Sequence, residues 1–349
     1  MKTLRSRAAW TAAVAIAIVA FASRPLPAAS SCEFTGIDRV VAVADVHGAY
    51  DQFVEILRTA GVVDADAHWA GGATHLVQMG DLVDRGPDSR KAIDLVRRLE
   101  REARTAGGQV HALLGNHEVQ RMLGDLRYTV PGEYEAFASA NSERVRDDFL
   151  KTLNVSMGER ESARQNMPLG QVEMRVAFGR DGDYGRWLRQ LPAVIIVNQI
   201  AFTHGGISPA VAALSCDAIN DRVRKELTSD LDKTRATPLA SLSAGADGPL
   251  WYRGLAQEPD TFAPQVEEMA SKFHVRAIVV GHTVTPDNRV VVRFGGRVVQ
   301  MDTAMQPAYV PHGRASALEI RGGVATVIYV DRKDTLQLPP LAKSAIGDR

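Results

Sequence analysis

Two cysteines in 349 residues leave little room for sulfur chemistry. Cys32 and Cys216 can pair once, in an oxidising compartment, or remain two free thiols. Net charge is missing as well, because 41 basic and 41 acidic side chains cancel. Residues 1–30 hold four of the bases (Lys2, Arg5, Arg7, Arg24) and no acid, so the chain without them carries 37 basic against 41 acidic groups, a net charge of −4. No basic face is implied, which excludes nucleic acid as a partner. Internal repeats and low-complexity linkers are also lacking. "ASLSAGADGP" (240–249) is the most loop-like stretch and is too short to separate domains.

Long apolar runs are absent with one exception, Ala8 to Phe21, which follows Lys2, Arg5 and Arg7. It falls short of the roughly 20 residues that span a bilayer. With the small residues Ala28-Ala29-Ser30 behind it, the pattern is that of a cleaved signal peptide. The reading is therefore a signal peptide over 1–30, one domain over 31–335, a tail over 336–349, and a periplasmic or secreted location. A membrane would be reached only through an uncleaved signal or a lipid on Cys32, and "ASSC" lacks the Leu that usually stands three residues before a lipidated Cys.

What is present is ordinary in bulk, 45% apolar and 23% charged, as a soluble globular chain should be. From residue 38 to about 120, short apolar strands alternate with helical patterns. "RVVAVAD" (39–45), "THLVQMGD" (74–81) and "QVHALLG" (109–115) read as strands. Between them, Phe53, Ile56, Leu57 and Ala60 share one helix face, with Gly61 as the stop. Pro87 is expected to open the next helix, with Ile93, Val96 and Leu99 on one stripe. This order argues for an α/β fold with parallel pairings. Residues 119 to about 190 read as mostly helical, Val145, Phe149 and Leu153 marking one face. Beyond 193 the strands return, with hairpins around Gly295-Gly296 and in "SALEIRGGVATVIYV".

Polar residues gather just past the strand ends: Asp45 and His47, Asp81 with Asp84 and Arg85, Asn116 with His117, then His204 and His282. In open α/β sheets, ligands bind outside the carboxyl ends of the strands. Any one of these triplets alone is an ordinary turn; five in succession point to one shared site. Three His, two Asp and an Asn are N/O donors suited to Mn, Fe or Zn. Six donors exceed the need of one ion with an open position. Asp81 can bridge two ions, where a water loses its proton readily. Arg85 offers a planar fork for phosphate oxygens, and Arg253 in "LWYRG" a second. His117, not needed as a ligand, can protonate a departing oxygen while Asp84 fixes its tautomer. Gly115 is expected to let the chain turn tightly, and Glu118 to serve strand-end or helix-cap hydrogen bonding. The remaining histidines (His68, His75, His111, His274, His312) read as surface or satisfied core residues.

Asp45-Val46-His47-Gly48, Gly80-Asp81-Leu82-Val83-Asp84-Arg85-Gly86, Gly115-Asn116-His117-Glu118, His204-Gly205-Gly206 and Gly281-His282-Thr283 resemble the signature series of calcineurin-like metallophosphatases. The second and third are similar to motifs of the phosphoprotein phosphatase family, and "PLWYRG" with the signal peptide looks like its bacterial, Shewanella-like branch. The resemblance runs from about residue 38 to 305. It implies an αββα sandwich of two mixed β-sheets flanked by helices. It implies two divalent ions, Mn foremost in vitro, one held by Asp45, His47 and Asp81, the other by Asp81, Asn116, His204 and His282. It further implies His117 as general acid, Asp84 as its orienting partner, Arg85 and Asn116 as phosphate-binding groups, and, by local likeness only, Arg253. The reaction implied is attack of a metal-bridging hydroxide on a phosphorylated protein, a peptide or a small phosphate ester. Hydrolysis of a small-molecule phosphate or a dinucleoside polyphosphate on the same fold is the alternative. Two positions depart from the pattern: Ala44 stands where Gly is usual, and so does Ala304 after Asp302.

Overall fold

A computed structural model describes residues 32–340. The expected signal peptide and the last residues of the expected tail lie outside the described residues. Strands β1 (Glu33–Phe34), β2 (Arg39–Val43), β3 (His75–Gln78), β4 (Gln109–Ala112), β5 (Val194–Val197), β6 (Ile200–Thr203), β7 (Ala277–Val280), β8 (Val291–Arg293), β9 (Val298–Gln300), β10 (Ser316–Arg321), β11 (Val324–Tyr329) and β12 (Lys333–Leu336) form two six-stranded sheets. One sheet has the order β1-β5-β6-β7-β9-β8, the other β12-β11-β10-β2-β3-β4. Both are mixed. β2, β3 and β4 run parallel, joined by helices α1 (Tyr50–Thr59) and α2 (Ser89–Thr105), whereas β10, β11 and β12 pair antiparallel.

The two-residue alternation of a strand explains the layering. In β2, Val40 and Ala42 face the opposite sheet, where they meet the core formed by Val77, Met79, Ile195, Phe202 and Val279. Val41 and Val43 point the other way, into the helix-covered core with Phe53, Leu57 and Val96. Both faces of β2 are covered, so beyond Arg39 it is apolar throughout and not half polar. The architecture is the expected αββα sandwich.

Three local expectations shift, and the reading of the non-motif histidines holds. α2 starts at Ser89, two residues beyond Pro87, with Asp88 outside the helix (φ −102°, ψ 27°) and its N–H bonded to the Gly48 carbonyl (3.3 Å). In α5, after α3 (Asn116–Leu123) and α4 (Pro131–Glu135), the stripe of Val145 and Phe149 is only half-buried. Leu150 is the apolar residue that α5 (Ser142–Thr152) commits to the interior. β12 ends at Leu336, inside the expected tail, and Leu338 packs on the inter-sheet core. His75 and His111 are buried and bonded to each other (Nε2 of His111 to Nδ1 of His75, 3.0 Å), while His68, His274 and His312 are exposed.

Cys32 and Cys216 form a disulfide with Cα atoms 6.2 Å apart, which removes the free-thiol alternative. It ties the residue preceding β1 to the first turn of the helix Cys216–Leu227, closing a loop with a sequence separation of 184. Loop-closure entropy makes such a bond worth about 2–5 kcal/mol. The Cys32→Ser/Cys216→Ser variant is therefore expected to melt roughly 5–15 °C lower than the oxidised protein. An unchanged midpoint by calorimetry would show that the unfolded chain gains nothing from the cross-link.

Candidate metal centre

All five polar clusters come together at one end of the sandwich. Val46 and His47 donate their N–H groups to the Asp81 carbonyl (2.9 and 2.8 Å), and Gly48 donates to Leu82 (3.0 Å), so the first two loops are laced together. The Gly281 N–H reaches the His204 carbonyl at 2.8 Å. The backbone is forced to fit: His47, Asp81, Asp84, Arg85, His282 and Ala304 all have φ between 49° and 69°. Non-glycine residues in that region carry strain that the surrounding structure must hold, and such strain concentrates at functional sites. Ala44 needs no such conformation, whereas Ala304 does.

Glycine is required here mainly for room. Gly115 is extended (φ −103°, ψ 174°), so it does not make the expected tight turn. A Cβ at Gly115 would instead lie 2.1 Å from Asp81 Oδ1, and one at Gly281 would lie 2.3 Å from Asp45 Oδ2. Glu118 does what the sequence suggested. Its carboxylate accepts the N–H groups of Asp81, Gly115 and Leu82, each at 2.8 Å, and of Val83 at 3.3 Å, pinning the second loop to the start of α3.

Asp81 is the hub. Its Oδ2 lies 3.3 Å from His204 Nε2, 3.5 Å from His47 Nε2 and 3.8 Å from His117 Nε2. Two sets of donor atoms lie mutually within 4.8 Å, His47–Asp81–His117 and Asp81–His204–His282, and they share Asp81. Asn116 Oδ1 joins the second at 2.9 Å from His204 Nε2. Asp45 belongs to neither set; its carboxylate accepts the His282 N–H at 3.0–3.1 Å, and it is near enough to feel the charges of Asp81 and His204. Arg253 lies alongside, its Nη1 donating to the His282 carbonyl (3.0 Å) and Thr283 Oγ1 (2.9 Å).

This donor set suits divalent cations. The Nδ1–H groups of His47 and His204 are committed to the carbonyls of Val83 and Met79, both at 2.9 Å, which turns their Nε2 atoms inward. Nε2 of buried His282 has no hydrogen-bond partner among the described residues. Burial, together with His204 and Arg253, lowers the His282 pKa to about 2. Burial, against the pull of Asp81, lowers that of His47 to about 3. Both rings are thus neutral, as ligands must be. The acids show the complementary need. Burial and the Asp81 charge raise Asp45 to about 6, and burial with the Asp45 charge raises Asp302 well above the carboxylate range. His204 is lifted to about 9: burial opposes its charge, but Asp81 and Asp45 outweigh burial. An anionic pocket that raises carboxylate pKa values and draws a proton onto an imidazole is one that positive charge would stabilise.

Beside these donors sits a hydrogen-bonded dyad. His117 Nδ1 donates to Asp84 Oδ2 at 2.8 Å, leaving Nε2 on the side of Asp81, 3.8 Å from its Oδ2. Arg85 stacks on Tyr309 (3.8 Å to the ring centre) and directs Nη1 at His47 Nε2 (3.0 Å), while its Nε has no partner. Tyr128 lies 5.1 Å from the His117 ring. Sequence reading missed Tyr128, Tyr309, Arg121, Glu133 and the closeness of Asp302 to Asp45. Asp302 alone carried a signal, as an acid two residues beyond the end of β9.

A fold of two mixed sheets with this His, Asp and Asn cluster at the strand ends is that of a metal-dependent phosphoester hydrolase, and the comparisons agree. The chain belongs to the calcineurin-like phosphoesterase family, whose model matches residues 38–286. It is 29% identical to an uncharacterised protein of Schizosaccharomyces pombe (77% of this chain, 74% of that one) and 26% identical to Shewanella-like protein phosphatase 2 of Arabidopsis thaliana (81% and 75%). Among solved structures, it resembles the cold-active protein-tyrosine phosphatase of a psychrophilic Shewanella species, with TM-score 0.69, 29% identity, and 88% and 82% of the two chains covered.

Proposed function

We propose that this chain is an exported, two-metal phosphomonoesterase acting on phosphorylated protein side chains, with His117 as general acid. The observation that carries the reading is Asp81 shared by two imidazole sets, with His117 Nε2 3.8 Å from its Oδ2 and His117 Nδ1 bonded to Asp84. Asp45, His47 and Asp81 would hold one ion, and Asp81, Asn116, His204 and His282 the other. Two such ions, Mn foremost and Fe or Zn as alternatives, would supply Lewis acidity and lower the pKa of water.

The chain's own groups do the rest. Arg85, with its free Nε and a ring beneath it, binds equatorial phosphate oxygens and neutralises charge as the ester bond lengthens. Arg253 supports the His282 loop and offers a second cation at the rim. His117 Nε2 delivers a proton to the departing oxygen, and Asp84 holds the ring while it does so. Tyr128, beside the His117 ring, and Tyr309, against the Arg85 guanidinium, are both exposed and offer aromatic faces on which a phosphotyrosine ring can stack. The activity named for the Shewanella phosphatase points the same way.

Export is supported by the basic–apolar–small pattern of residues 1–30 and by the disulfide, which persists in oxidising compartments. Mass spectrometry of the exported protein should find the chain starting near Ser30; an intact Met1 would refute cleavage. The activity is tested by phosphate release from phosphotyrosine and phosphoserine peptides, p-nitrophenyl phosphate and a dinucleoside polyphosphate, each with Mn, Fe, Zn and Mg. Metal-dependent release from peptides is expected. Hydrolysis confined to the dinucleotide would overturn the protein-phosphatase reading.

A further inference from the structure

The segment from 119 to 190, which carries no recognisable motif, sends two buried charges to the dyad. Arg121 lies one turn beyond His117 on α3, so both side chains leave the same face of the helix. Asp84 Oδ2 is taken by His117, and Oδ1 by Arg121 Nη2 together with Thr129 Oγ1 (3.1 Å). Glu133, on α4, accepts Arg121 Nη2 at 2.8 Å and the Asp84 N–H at 3.2 Å through the same oxygen. Its other oxygen accepts the Val130 N–H at 3.3 Å. Side chains of Arg121, Asp84 and Glu133 are each 1% exposed.

The backbone shows why such a clasp is needed. Asp84 (φ 69°) and Arg85 (φ 68°) are consecutive non-glycine residues in the left-handed region. Each is strained and persists only when over-determined by its surroundings. Glu133 takes the N–H of Asp84, and the Tyr128 carbonyl takes that of Arg85 at 2.9 Å. Residues 128–133 thus hold the turn that aims both the Asp84 carboxylate and the Arg85 fork.

We propose that Glu133 and Arg121 are positioning residues for proton delivery, fixing through Asp84 the ring of His117 and, through the same turn, Arg85. The proposal rests on the reading of His117 as the acid. An acid matters in proportion to how badly the leaving group needs a proton, so misplacing it slows alkyl phosphates more than activated aryl phosphates. Loss of partners that orient a site's ligands typically costs 10–100-fold. Glu133→Gln is therefore expected to lower kcat by about 10–100-fold on a phosphoserine peptide and only a few-fold on 2,4-dinitrophenyl phosphate, with metal content unchanged.

Breaking a buried pair also endangers folding, so the Arg121→Met/Glu133→Gln double variant is measured beside it. Removing both charges should restore the melting temperature without restoring turnover of the phosphoserine peptide. Recovery of both together would make the network merely structural and overturn the proposal, as would equal losses on the two substrates in Glu133→Gln. His117→Asn is the control. If it shows no leaving-group dependence, the acid assignment itself fails. If it shows that dependence and Glu133→Gln does not, the assignment stands and the positioning role falls.

Discussion

If His117 is the acid proposed above, His117→Asn should keep the parent's metal content and lose about 10²–10⁴-fold in turnover of an alkyl phosphate, the usual worth of a positioned general acid. The ring is committed on its far side, with Nδ1 bonded to Asp84 at 2.8 Å and Asp84 bonded in turn to Arg121. Its Nε2 is the most distant of the three imidazole nitrogens around Asp81 Oδ2, at 3.8 Å against 3.3 Å for His204 and 3.5 Å for His47. Asn fills much of the same space and keeps a polar group towards Asp84, so no buried carboxylate is stranded. It cannot deliver a proton. On 2,4-dinitrophenyl phosphate, whose leaving group needs none, the loss should shrink to a few-fold. Metal analysis together with the two rates decides the matter. If the variant binds fewer ions than the parent, His117 is a ligand of the His47–Asp81 set and the proton comes from elsewhere.

How far the sequence reaches is visible in which side chains it located. Asp45, His47, Asp81, Asn116, His204 and His282 stand at strand ends, where a two-residue period and a fixed polarity switch mark position without reference to other elements. Their convergence follows from the sheet order, because parallel neighbours end at the same edge. Arg121 and Glu133 are different in kind. They reach Asp84 across 37 and 49 residues through the packing of α3 and α4, and nothing local distinguishes them from surface charges. The disulfide was undecidable for the same reason, its partners being separated by 184 positions. Gly115 shows a subtler limit: a glycine beside a ligand suggests a special dihedral, yet its angles are ordinary and the constraint is the 2.1 Å that a Cβ would leave to Asp81. Conformation has a sequence signature; clearance does not.

Asp81→Asn carries the other large expected effect, because one carboxylate serves both donor sets. Its Oδ2 faces His47, His117 and His204, while Oδ1 accepts the His117 N–H at 3.0 Å. Although burial would raise its pKa, the surrounding histidines, His204 foremost, hold it well below the carboxylate range, so the group is anionic. Asn preserves the volume and tolerates the left-handed backbone (φ 54°). The Asp81 carbonyl that receives Val46 and His47 is unaffected, so the loops should remain laced. What disappears is the negative charge between the two sets. Losing several kcal/mol of transition-state stabilisation corresponds to about 10³-fold or more in turnover. The binding consequence can be read without activity. Ligands that bind only the folded state stabilise it by RT ln(1 + [L]/Kd), about 2.7 kcal/mol at 100 Kd. Manganese titrated into the parent protein should therefore raise its melting temperature by several degrees, and the shift should vanish in Asp81→Asn. A variant that keeps the full metal-dependent shift would show that the two sets bind independently, and that Asp81 does not bridge them.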